Sequence, residues 1–264
     1  MHIPAVPAVL SLLLASAAAF TTSTPSSPSC TLHDLRTLSC HNSTSIPPCC
    51  IESPSGLLLQ TQYWSSLGPQ NSWTIHGLWS DFCDGTYPAY CDASRAYPSA
   101  AAVVGGALEK FMRKYWLDVD GTGAAVDPAE PDQGLWKHEW DKHGTCMSTL
   151  VPGCYGAGYR PAMEAADYFK ATVQLFRRLD TFKFLKKCGI TPSAARTYTR
   201  AEFVGCLGAA HGATPFVGCD SEGRVNELWY YYHLRGKVVD GKWEETETTR
   251  TSSCPETGIR YLPK

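Results

Sequence analysis

Twelve cysteines, an even number, constrain this 264-residue chain more than any other feature. All of them lie at or beyond Cys30. Abundant, evenly numbered cysteine in an exported chain reads as a disulfide framework, with zinc as the competing reading. The spacings disfavour zinc. Cys49 and Cys50 are adjacent, and no two cysteines are separated by two residues, the spacing from which structural zinc sites are usually built. Twelve cysteines allow about ten thousand pairings, so the connectivity stays open at this level.

The N-terminus points to the same compartment. Residues 1–20 contain no Lys, Arg, Asp or Glu, and an apolar run through Val9, Leu10 and Leu12 to Leu14 closes on Ala17-Ala18-Ala19. This predicts a secretory signal peptide over residues 1–19, although the first residues lack the usual Lys or Arg. The alternative is a membrane anchor, but Pro4 and Pro7 interrupt the run, which is short of the roughly 20 apolar residues a span needs. Residues 20–29 are rich in Ser, Thr and Pro and read as a flexible lead-in to a single domain over 30–264. Asn42-Ser43-Thr44 is the one glycosylation sequon, which makes Asn42 a candidate acceptor. The expected location is extracellular, or the lumen of a vacuole or lysosome, with no membrane anchor once the leader is removed.

Net charge is −2, which excludes a basic coat protein for nucleic acid. Any nucleic-acid contact must be local. Eight histidines are present, all but His2 beyond the leader, and such groups charge near pH 5. The protein would then turn positive.

Residues 57–64 and 73–78 read as strands. Residues 99–116 carry helical spacing at Val103, Ala107, Phe111 and Tyr115, weakened by Gly105-Gly106. Residues 118–133 read as a surface loop. Residues 161–187 form the clearest helical stretch, with Pro161 in its first turn and Gly189 as its stop. Residues 199–210 suggest a shorter helix, and 225–234 with 237–243 suggest a hairpin about Arg235-Gly236. Strands and helices without strict alternation imply α+β.

Two segments carry candidate chemistry: Trp73-Thr74-Ile75-His76-Gly77-Leu78-Trp79-Ser80-Asp81 and Trp136-Lys137-His138-Glu139-Trp140-Asp141-Lys142-His143-Gly144-Thr145-Cys146. If the second is helical, at about 100° per residue, Glu139, Lys142 and His143 share one side and His138 lies about a quarter turn away. A zinc HExxH reading fails, because the two histidines are five residues apart rather than four. The bland reading is a solvated charged face with Trp136 and Trp140 behind it. For His76, within an apolar strand, the bland reading is a hydrogen-bonded core histidine.

Together the two segments resemble the active-site segments of the RNase T2 family, its fungal members above all. The resemblance runs from Cys30 to near the C-terminus. It implies an α+β fold with a central antiparallel sheet and flanking helices. It also implies an endoribonuclease that cleaves single-stranded RNA with little base specificity, as a monomer whose partner is its RNA substrate, with no cofactor and no metal. The chemistry stands on its own terms. RNA carries its nucleophile, the 2′-hydroxyl. Cleavage needs a base, an acid for the leaving 5′-oxygen and positive charge on the phosphorane. Two imidazoles and an ammonium supply these without a metal, at an expected optimum of roughly pH 4 to 6.

By resemblance, His143 is the base and His76 the acid in transesterification. Glu139 and Lys142 support the transition state, and His138 holds the phosphate. Trp79, Asp81 and Tyr87 match a base pocket, where a base would stack on the aromatics and donate an amine hydrogen to Asp81. Core packing is the alternative for these three. Gln62 matches a second base site, but Leu117-Asp118 and Leu135 stand where the fungal relatives carry Pro-Ser and Phe. The resemblance also implies bridges Cys30–Cys50, Cys40–Cys83, Cys49–Cys154, Cys91–Cys146 and Cys219–Cys254. Cys188 and Cys206 fall outside that pattern and suggest a sixth bridge. Two competing functions are a catalytically silent binding glycoprotein and a metal-dependent hydrolase. The presence of all five matched catalytic residues disfavours the first, and activity that survives EDTA would exclude the second.

Overall fold

A long, fully buried strand organises the molecule. In the computed structural model, which describes residues 29–41, 45–119 and 132–264, β1 (Leu57–Tyr63) is buried at every position. The predicted leader, Asn42 and most of the 118–133 loop lie outside the described residues. β1 is flanked on one side by β2 (Thr74–Asp81) and on the other by β5 (Val225–Arg235). β5 also pairs with β4 (Phe216–Cys219) and β6 (Lys242–Thr246), giving the order β2-β1-β5-β4 with β6 added on β5, every pair antiparallel. β3 (Thr197–Tyr198) and β7 (Ile259–Arg260) make a separate two-stranded sheet. The helices are α1 (Leu32–Arg36), α2 (Gly106–Tyr115), α3 (Asp132–Lys142), α4 (Met163–Arg178), α5 (Thr181–Lys187) and α6 (Arg200–His211). The expected α+β class, a central antiparallel sheet with helices beside it, is what the chain adopts.

The pleat sends alternate side chains to opposite faces. Leu58, Leu78, Leu228 and Tyr230 join the large core formed with Tyr168, Phe169 and Val173 of α4. Leu57, Leu59, Phe216 and Tyr231 make a smaller cluster on the other face, with Trp79 and Trp229 against it. Both faces of β1 are therefore covered, which explains its uninterrupted burial. Its polar residues are hydrogen-bonded, as burial requires: Gln62 Nε2 donates to Gln60 Oε1 (2.9 Å), Thr181 Oγ1 donates to Gln62 Oε1 (2.7 Å), and Gly77 N donates to Thr61 Oγ1 (2.9 Å).

Several predicted boundaries shift, each for a local reason. The 99–116 stretch becomes α2 from Gly106 onward, because Gly105 is extended and residues 100–102 form a separate tight turn. The 161–187 stretch divides at Leu179-Asp180: Asp180 accepts from Lys183 N (3.1 Å) and caps a new helix, α5. Pro161 precedes α4 rather than entering it. The 225–243 hairpin turns over residues 236–241, since Arg235 pairs with Lys242. β4 and the small sheet were not foreseen. For α6, Thr199 Oγ1 accepts from Glu202 N while Thr199 N donates to Glu202 Oε2, a capping box.

Six disulfides form: Cys30–Cys50, Cys40–Cys83, Cys49–Cys154, Cys91–Cys146, Cys188–Cys206 and Cys219–Cys254. Among the described residues no cysteine is free and no helix is long and apolar enough to cross a membrane.

The bridge that stands outside the family pattern joins the end of α5 to α6 across 18 residues. Closing a loop of this order stabilises by about 3 kcal/mol. Cys188→Ala/Cys206→Ala should therefore unfold at lower temperature by several degrees while its circular dichroism stays native. An unchanged midpoint would mean that the bridge adds nothing.

Candidate active site

His76 owes its position to an irregularity in the ladder. Thr61 pairs with Gly77 and Gln62 with Ile75, so His76 is an extra residue on β2 with no partner on β1. Such bulges re-aim a side chain. The ring of Tyr63 stacks on that of His76 (centroids 4.0 Å apart), and Tyr63 Oη lies 3.0 Å from His76 Nε2. The backbone is pinned from behind, where Trp116 Nε1 donates to the His76 carbonyl (2.7 Å) and Trp136 Nε1 to the Trp116 carbonyl (2.8 Å).

α3 brings Glu139 against this bulge. The carboxylate is fully buried. One oxygen, Oε2, accepts from Trp79 Nε1 (2.9 Å), and the other, Oε1, lies 3.3 Å from His76 Nε2. The approach requires a bare backbone at residue 77, because a Cβ on Gly77 would fall 1.8 Å from Glu139 Oε2. Tyr168 of α4 couples the two elements: its hydroxyl donates to the Leu78 carbonyl (3.0 Å) and lies 3.2 Å from the Glu139 carbonyl.

His143 follows the last turn of α3, its N–H donating to the Glu139 carbonyl (3.1 Å). Its ring stacks on Trp79 (5.0 Å, 18° between planes). The ring is buried, and neither nitrogen has a protein partner. Gly144 lets the chain turn here, since a Cβ would lie 2.3 Å from Trp140 Cε3. Lys142 reaches over the exposed Tyr87 (5.9 Å from the ring centroid). His138 lies at the flank, its Nδ1 3.5 Å from Tyr90 Oη.

Beside His143, a cavity of about 110 Å³ is lined by Trp79, Asp81, Tyr87, Lys142, His143, Trp229 and Arg250. Asp81 Oδ1 and Trp229 Nε1 are buried without a protein partner. Of the residues expected from sequence, the structure thus gathers His76, Glu139, Lys142, His143, Trp79, Asp81 and Tyr87, with His138 adjacent. Gln62 is not among them. It sits on the opposite face of β1 from Thr61 and Tyr63, fully buried, with its amide committed to Gln60, Leu179 and Thr181. Strand alternation turns it into the helical core, away from the cavity beside His143. Leu135 is likewise buried in that core. Sequence reasoning missed Tyr63, Glu227, Trp229 and Arg250. Only the aromatic run Trp229-Tyr230-Tyr231-Tyr232 hinted at a packed strand there, and nothing singled out Arg250.

The two imidazoles have opposite proton affinities. Burial opposes charging His76, but the carboxylates of Glu139 and Glu227 outweigh it and hold the ring up at about 9. Burial also opposes charging His143. Here Glu139 only partly compensates, Lys142, His76 and His138 add to the cost, and the ring falls to about 3. Burial would raise Glu139, yet the charged His76 keeps it below the usual carboxylate range. Burial pushes Asp81 up to about 7, against the pull of Arg250. His138 is lowered, chiefly by burial. Between about pH 3 and 9 the site therefore holds a charged His76 and a neutral His143 on either side of one carboxylate, an acid and a base ready together. Among the described residues no group of three or more His, Cys, Asp or Glu side chains is arranged to hold a metal ion.

The chain is similar to known proteins over most of its length. The chain matches the Ribonuclease T2 family model over residues 46–254. It is 43% identical over 235 residues to Ribonuclease T2 of Aspergillus oryzae, spanning 86% of this chain and 81% of that protein. It is also 43% identical over 235 residues to Ribonuclease Trv of Hypocrea rufa, spanning 86% and 95%. The solved structure of Actibind, a T2 ribonuclease, superposes with a TM-score of 0.79 at 41% identity, covering 88% of this chain and 97% of that one.

The bare backbone at residue 77 is testable. Gly77→Ala must displace Glu139 and uncouple it from His76 and Trp79. Turnover should drop at least about 100-fold, the lower range for losing organised acid–base catalysis, with the sheet retained by circular dichroism. Near-normal turnover would show that the close approach has no catalytic weight.

Proposed function

This chain belongs to the ribonuclease T2 family and is an endoribonuclease of that type, and from that premise we propose that it is an exported enzyme cleaving single-stranded RNA with little base specificity, with His143 as base and His76 as acid. Transesterification is the family's reaction. His143, neutral, takes the proton of the 2′-hydroxyl as its oxygen attacks phosphorus. His76, charged, gives its proton to the departing 5′-oxygen. The products are a 2′,3′-cyclic phosphate and a 5′-hydroxyl. In slower hydrolysis the roles reverse: His76 activates water and His143 returns a proton to the 2′-oxygen, leaving a 3′-phosphate.

The opposite proton affinities of the two imidazoles about Glu139 carry this reading. Lys142 supplies positive charge to the non-bridging oxygens, and His138 helps to hold the phosphate. Glu139 keeps His76 charged and orders Trp79. A base 5′ of the scissile bond would stack among Trp79, Tyr87 and Trp229, with Asp81 and Arg250 at its edge. The predicted leader and the six bridges support export to the extracellular space or to a vacuolar or lysosomal lumen.

The sign of the pH dependence follows. The base is lost as pH falls through the His143 value of about 3, and the acid is lost as pH rises through the His76 value of about 9. Within that window the upper half is less favourable. Asp81 ionises as pH rises through about 7, which adds negative charge to the base cavity, while other histidines discharge and the protein turns negative. The optimum should lie at roughly pH 4 to 6. His76→Ala and His143→Ala should each lower turnover about 10²–10⁴-fold with folding unchanged. Digestion of polymeric RNA across pH, with EDTA present and with the cyclic and 3′-phosphate ends quantified, measures this. An optimum above pH 8, or a variant of either histidine with near-normal cleavage, would contradict it.

Specificity should be uneven. The cavity beside His143 is built, whereas Gln62 and Leu135 are buried away from solvent. Varying each base of dinucleotide substrates independently should show a wider spread of rates for the base 5′ of the bond. A spread as large on the 3′ side would require another surface to form the second site.

A further inference from the structure

His76 faces a second carboxylate that the two sequence motifs do not contain. Glu227 lies on β5, where it pairs with Tyr63 of β1 and Gly218 of β4. The first pairing sets it beside the tyrosine whose ring covers His76. Its Oε1 is 3.6 Å from His76 Nδ1, a buried nitrogen with no hydrogen-bond partner. Among the described residues no Lys or Arg forms an ion pair with Glu227, and His76 is the cation it faces. A carboxylate inside a sheet is otherwise poorly placed. Gly218 keeps the space open: a Cβ there would approach Glu227 Cβ to 3.1 Å.

We propose that Glu227 is a positioning residue of catalysis, which fixes the orientation of the His76 ring through Nδ1 and holds its charge, while Nε2 faces Glu139 and the reacting phosphate. This rests on the reading of His76 as the acid. In acid–base sites a carboxylate on the far nitrogen fixes the tautomer and stabilises the imidazolium without taking the proton. Glu227 does this from the sheet. No proton moves to it: His76 gives its proton to the leaving 5′-oxygen from the other nitrogen, and Glu227 remains ionised. A separation of 3.6 Å is slightly long for a hydrogen bond, and such contacts tighten when substrate binds. The titratable groups facing the ring are Tyr63 from β1, Glu227 from β5, Glu139 and His138 from α3, and His143 just beyond it. Glu139 and Glu227 favour its charged form. His138 and His143, when charged, oppose it.

The test is Glu227→Gln in the full chain, with two readouts. One is the NMR titration of the His76 ring. The other is the pH profile of kcat/KM on a dinucleotide. Loss of an opposite charge at this distance should move the His76 titration down by about one pH unit or more. The alkaline limb of kcat/KM should move down with it, so that at pH values above both limbs the variant is about ten-fold slower or more. The acid limb, set by His143, should stay. Glu227→Asp, which keeps the charge on a shorter arm, should fall between the two and also covers the case of a poorly folded Gln variant. An unmoved His76 titration in Glu227→Gln overturns the proposal whatever the rate does. So does a rate lowered equally at every pH, the signature of a structural role. If the His76 titration moves and the alkaline limb does not, His76 is not the acid, and the functional reading fails there together with this proposal.

Discussion

A carboxylate buried to zero exposure is the constraint from which the site follows. An isolated ionised group in that position would cost several kcal/mol, so it must be hydrogen-bonded and paired. Glu139 meets both demands at once, with the Trp79 indole N–H on one oxygen and the His76 imidazole at the other. Those contacts lock α3 onto β2 and leave no room for a side chain at residue 77. They also set the plane of Trp79, against which His143 stacks. One buried negative charge thus orients three of the rings gathered at the site. Because His143 gains only part of that charge's benefit, the two histidines differ in proton affinity although both are buried.

The surrounding architecture makes this arrangement rigid. Indole N–H groups tie the backbone on either side of the site: Trp116 to the His76 carbonyl, Trp136 to the Trp116 carbonyl and Trp140 to the Arg95 carbonyl (2.7 Å). The Cys91–Cys146 bridge fastens the segment just after His143 to the loop that follows Tyr90, and Cys40–Cys83 fastens the end of β2. A group held by packing and bridges loses little entropy on meeting substrate, and pre-organised dipoles and charges act without reorganising.

The parts legible in the sequence were those in which local spacing carries the chemistry. His138, Glu139, Lys142 and His143 fall within one helical stretch and its exit turn, and His76, Trp79 and Asp81 within one strand. The bridge between Cys188 and Cys206 could be inferred from their places at the end of one helix and within the next. What could not be read depends on which strands pair and in what register. Tyr63, Glu227 and Trp229 reach the site only because β1 and β5 align as they do. The bulge that isolates His76 has no signature beyond the glycine that follows it. Gln62 shows how little sequence position says about direction. It matches a base-contacting position by resemblance, while alternation along β1 and the polar partners Thr181 and Leu179 turn its side chain inward. The break between α4 and α5 was likewise hidden, since Asp180 acts as a cap only where the chain leaves helical geometry at Leu179.

The central claim is that buried carboxylates, Glu139 foremost, keep His76 charged while burial keeps its neighbour His143 neutral. Nitrogen NMR of the unmodified protein, with the rings of His76 and His143 assigned, measures this directly between pH 4 and 7, inside the window of about 3 to 9 set by the two rings. The account predicts a doubly protonated His76 and a neutral His143 throughout that range. Two rings titrating together near the ordinary histidine value of about 6.5, or a charged His143 beside a neutral His76, would contradict it.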